Sequence, residues 1–76
     1  MTKEEIGILC DLYDIKIELA KKISTADDMK YIFNQAGDKE AYKYYQGQKN
    51  AYMVAMTILS TQINKIKNGE YDGTNR

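Results

Sequence analysis

A chain of 76 residues is one small domain, which buries only about 60% of its extended-chain surface and is marginal on its own. One cysteine, Cys10, and no histidine exclude an internal disulfide and a zinc site, two of the usual remedies for a small core. Eleven bases balance eleven acids, proline is absent and β-branched residues do not alternate with polar ones, which leaves an all-α chain that gains stability by associating with another chain.

The same features bear on location. A lone cysteine fits a reducing compartment. The opening MTKEEIGIL has acids where a secretory leader has bases. The longest apolar run, Ala51–Met56, falls far short of the roughly 20 residues that span a bilayer. A cytoplasmic protein with no membrane partner is expected.

In chain order, Thr2-Lys3-Glu4-Glu5 is a capping box that starts a first helix, spanning about residues 3–23. Its apolar residues form two stripes, one of Ile8, Leu12, Ile15, Leu19 and Ile23, the other of Ile6, Leu9, Tyr13, Ile17 and Ala20 with Cys10 at the margin. One wedge is wholly polar: Asp11, Asp14, Glu18, Lys21 and Lys22. A surface helix needs an apolar arc of only a little over 100°, so this helix is covered on two sides. Ser24 or Thr25, followed by Asp27 and Asp28, reads as the cap of a short second helix, 25–36, which Gly37 ends.

Asp38 caps a long third helix, 39–68, that closes at Asn68-Gly69 with Lys65 and Lys67 in its last turns, where the macrodipole favours cations. Residues 70–76 have turn composition and read as a polar tail. On the third helix Ala41, Tyr45, Gln48, Tyr52, Ala55, Leu59, Gln62 and Ile66 alternate spacings of four and three, a heptad seam. Tyr44, Gly47, Ala51, Val54 and Ile58 form a second stripe beside it. The predicted architecture is a hairpin of two long antiparallel helices joined by a short one. Because each long helix has two seams, the bundle is completed by a homodimer or higher oligomer.

Charge is unevenly placed. Residues 1–40 hold nine acids and six bases, whereas residues 41–69 hold Lys43, Lys49, Lys65 and Lys67 and no acid, so helical layers of opposite sign are expected to lie together. Gly47, Ala51 and Ala55, four apart, let another backbone approach closely. With Val54, Ile58 and Leu59 they form the expected self-association surface.

Catalysis is not expected. There is no histidine, phosphate loop or nucleophile elbow, and Asp11, Asp14 and Glu18 read as a solvated face with lysine neighbours rather than a cation site. No cofactor or metal is called for. Tyrosine is the unusual residue, seven against one phenylalanine and no tryptophan. A large apolar face with a polar tip suits half-buried interfaces, which makes Tyr42, Lys43, Tyr44, Gln48, Lys49 and Tyr52 the candidate surface for a protein or nucleotide partner. Tyr42 is expected to be the most exposed of these tyrosines.

The segment YYQGQKNAYMVAMTIL, Tyr44 to Leu59, resembles a stretch at the start of the long last helix in short all-helical accessory proteins of bacteriophages and mobile elements of Gram-positive bacteria. The resemblance brings no catalytic residue. It implies a protein that works by binding and blocking a bacterial protein, including components of antiviral defence. Two other roles fit the residues. One is an oligomeric protein that sequesters a small ligand or nucleotide between subunits. The other is a DNA-binding regulator in which NQAGDKEA, Asn34–Ala41, forms a helix-turn-helix turn, although the following helix has no arginine near its start.

Overall fold

A computed structural model describes residues 1–69. They form two helices, α1 (Lys3–Gln35) and α2 (Lys39–Lys67), packed along each other as a hairpin. Thirty-three residues of α1 at about 1.5 Å each give a rod near 50 Å long, matching principal extents of 55 × 19 × 12 Å. The radius of gyration is 16.8 Å, against about 11 Å for a globule of this length. The tail, 70–76, lies outside the described residues.

The ends of the helices follow from their residues. Thr2 Oγ1 accepts from the Glu5 amide at 3.1 Å, and the Thr2 amide donates back to Glu5 Oε1 at 2.8 Å, so the capping box forms as its spacing implies. Replacing Thr2 with alanine is expected to cost about 1 kcal/mol, read as a lower thermal midpoint by circular dichroism. At the turn, the Asp38 amide donates to the Phe33 carbonyl at 3.0 Å and the Gly37 amide to that of Asn34 at 3.2 Å. This is a Schellman motif, which needs a left-handed residue after the cap; Gly37 supplies it at φ 75°. Asp38 then starts α2 at once, its Oδ1 accepting from the Ala41 amide at 3.1 Å. Three residues, 36–38, make the whole connection.

The expected short middle helix is not separate. α1 runs unbroken through Ser24, Thr25, Asp27 and Asp28. A cap signal acts only where the chain leaves the helix, and here packing keeps it in: Ile23 and Phe33 are half-buried on either side of buried Ala26. Propensity is a weak prior that tertiary contact overrides.

Packing also sets the phase of α1. The positions turned toward α2 are Glu5, Leu9, Leu12, Lys16, Leu19, Ile23, Ala26, Lys30 and Phe33, each buried or half-buried and spaced by alternating fours and threes. Ile15, expected in this stripe, is exposed, and Lys16 holds its place. A lysine stem can lie on apolar surface while its ammonium reaches water; that of Lys16 sits 5.8 Å from the Tyr13 ring centre. On α2 the seam read from the sequence is the packed face, all eight positions being buried or half-buried.

The core is thin. Among the described residues only Ala26, Leu59, Ile63 and Ile66 are buried, with Ile66 at 1% exposure. Near the turn the packing is aromatic: Phe33 stacks on Tyr45 with centroids 5.6 Å apart, and Tyr44 meets Tyr45 edge-on at 4.9 Å.

Candidate interaction surface

Writing the seam of each helix as heptad positions a and d defines two sides of the hairpin, because antiparallel helices bring their g positions to one side and their e positions to the other. The e side is marked by Asp27 and Lys49, both at e. Lys49 Nζ donates to Asp27 Oδ1 at 2.7 Å, and Lys30 Nζ lies 3.7 Å from the same oxygen. Lys30 also covers the Tyr42 ring at 5.9 Å, and Lys67 donates to the Tyr13 hydroxyl at 3.5 Å. Asp27–Lys49 is the one ion pair between the two helices among the described residues, and it joins the acidic first half to the basic second.

The hydrogen bond from Lys49 and its charge hold the Asp27 carboxyl below its usual range, against an opposing effect of burial and with a lesser contribution from Lys30. A carboxylate with a depressed folded pKa contributes stability above its unfolded value, and that contribution is lost as pH falls through the folded one. The link between helices is therefore expected to be intact at neutral pH and to be lost only as pH falls below the ordinary carboxylate range and through the depressed folded pKa of Asp27. Comparing acid titrations of helicity for wild type and Asp27→Asn reads it. The variant should lack this component, and strong salt should shrink the difference at neutral pH.

The g side is different in kind. Tyr44, Gly47, Ala51, Val54 and Ile58 of α2 occupy g and c positions, and all are exposed. Tyr44 is 61% exposed, Val54 60% and Ile58 60%. On α1 the same side carries exposed Ile15 and Ile32 and half-buried Ile8 and Met29. Here the second stripe of α2 gains a counterpart on α1 that the phase expected from sequence, with Ile15 inside, had hidden. A lysine at the neighbouring seam position was the signal that Ile15 faces outward.

Gly47 has no packing reason within the chain. A Cβ placed there meets nothing within 4 Å, yet glycine inside a helix costs about 1 kcal/mol relative to alanine. No crossing of α1 and α2 occurs at this residue.

The remaining candidates divide among seam, flank and surface and do not converge on one pocket. Ala55 is half-buried and Leu59 buried in the intramolecular seam, and Tyr52 is half-buried there beside Ala26. Gln48, also in the seam, donates from Nε2 to the Tyr44 hydroxyl at 3.0 Å. Lys49 is held by Asp27, and Lys43 is exposed. Tyr42, expected to be the most exposed tyrosine of the group, is half-buried under Lys30, whereas Tyr44 is exposed. The e flank of α2 turns inward, and that rotation carries Tyr42 in and Tyr44 out. Cys10, at the margin of the second apolar stripe of α1, is exposed.

Among the described residues no group of three or more acidic or sulfur side chains could hold a metal ion, and no described helix is long and apolar enough to cross a membrane. Asn34–Ala41 builds the tight turn of an antiparallel hairpin, not the 90–120° corner of a helix-turn-helix. No protein-family model, curated protein or solved structure matches the chain.

Proposed function

We propose that the chain is a non-enzymatic interaction protein that self-associates through the g side of its hairpin into a helical bundle. In that form it binds a protein partner and blocks or organises it. The observation that carries the reading is the solvated apolar stripe of α2, with Tyr44, Val54 and Ile58 all more than half exposed. A contiguous exposed apolar surface on a small soluble chain marks an interface, and a hairpin with four buried side chains among its described residues gains the core it lacks by covering that stripe. The e side, where Ile6, Tyr13, Ile17, Tyr31 and Met53 are exposed, stays open to the partner.

The resemblance of residues 44–59 to phage accessory proteins makes a bacterial protein, first of all a component of antiviral defence, the partner class to test. The setting is then the cytoplasm of an infected cell. The experiment is capture from a bacterial lysate on immobilised wild type and on Ile17→Asp. A protein retained by wild type and lost by the variant supports the reading; equal retention by both, or none above background, overturns it. Thermal-shift screening against nucleotides tests the sequestering alternative, since a ligand at 100 times its dissociation constant stabilises by about 2.7 kcal/mol.

A further inference from the structure

The geometry points to a specific stacking of two copies: g side on g side, turns at the same end, α1 of each copy lying antiparallel on α2 of the other. This rests on the self-association reading above. A two-fold axis can stack two identical faces in two ways. Set along the helices, it places α1 on α2 of the partner. Set across them, it places α1 on α1 and α2 on α2, with the turns at opposite ends.

Charge separates the two. The g and c flank of α1 carries Glu4, Asp11 and Glu18 against a single base, Lys22, whereas that of α2 carries Lys65 and Glu40. Like-on-like stacking sets the acidic edge of α1 against its own copy, which is unfavourable. The mixed stacking sets that edge against a flank of α2 with no excess of acid, where Lys65 is the one base and Glu40 lies at the far, turn end.

Register agrees with it. A two-fold along the helices leaves every height unchanged, so the levels within one chain, marked by the Asp27–Lys49 contact of 2.7 Å, carry over to the partner. Asp11, sixteen residues before Asp27, is level with the partner's Lys65, sixteen after Lys49. Ile32 is level with the partner's Tyr44 and Met29 with the partner's Gly47, so that the open space above Gly47 receives the Met29 side chain. Lys22 interrupts the apolar face and faces the partner's Val54, where its stem can lie flat with the ammonium in water.

The test uses a Cys10→Ala background with Ile32→Cys and Tyr44→Cys made separately and weighed in solution before oxidation. Dimers that cross-link when the two variants are mixed, and not when either is alone, are the expected result. Cross-linking of either variant with itself, or none in a mixture that stays dimeric, overturns the stacking. A folded monomer before oxidation overturns the self-association reading itself. As a second readout, Asp11→Lys and Lys65→Glu should each weaken dimerisation about three- to tenfold, and together restore it. Additive loss in the double variant overturns the pairing.

Discussion

Ile66→Ala is expected to unfold most of the hairpin at room temperature. Truncating a buried isoleucine to alanine costs about 2–5 kcal/mol, and a core in a chain this short rarely supplies more than about 3–5 kcal/mol. Ile66 is 1% exposed and is the largest fully buried side chain among the described residues. It also lies on α2 near the open end, where no turn ties the helices together. Chemical denaturation followed by circular dichroism measures the loss. Gln46→Ala, at an exposed position, should stay within about 0.5 kcal/mol of wild type. An Ile66→Ala chain as stable as that control would mean that the seam does not hold the fold.

Val54→Asp tests the other side of the molecule. Val54 is 60% exposed, so the aspartate leaves the intramolecular seam undisturbed, and helix content should persist at protein concentrations high enough to keep the chains associated. In a two-fold assembly each aspartate is desolvated against the partner, and both copies carry it. Losses of about 2 kcal/mol are confined to a few central interface residues; Val54 is placed as one of them and is altered in both copies, so self-association is expected to weaken on the order of hundredfold. The thermal midpoint should fall with it and become more dependent on concentration. Unchanged mass and midpoint would remove the g side from the interface. Together the two substitutions separate the seam that builds the hairpin from the stripe that lies outside it.

How far each feature could be read from residues alone depended on what occupied its seam. On α2 the pattern was legible because tyrosine, alanine and aliphatic residues keep the four-three spacing from Ala41 to Ile66, and the two glutamines fall in step. The turn was legible because Gly37 and Asp38 each have one strong local role, as left-handed cap and N-cap. On α1 the seam was obscured. Glu5, Lys16 and Lys30 occupy seam positions with long charged side chains, so counting apolar residues selects Ile15 in place of Lys16. Ser24 to Asp28 imitates a helix start, and only contact with α2 overrides it. The exposed stripe of α2 was legible as a surplus of apolar surface. Its counterpart on α1 required the correct phase, and the exchange of Tyr42 for Tyr44 as the exposed tyrosine required the rotation of α2.

The most direct measurement is the solution mass of the wild type by size-exclusion chromatography with light scattering, across micromolar to millimolar concentration. A chain of 8.8 kDa whose g side is an interface should run at twice that mass or more and dissociate on dilution together with its helix content. A folded, helical monomer at 8.8 kDa throughout that range would contradict it, and the hairpin would then stand on its four-residue core alone.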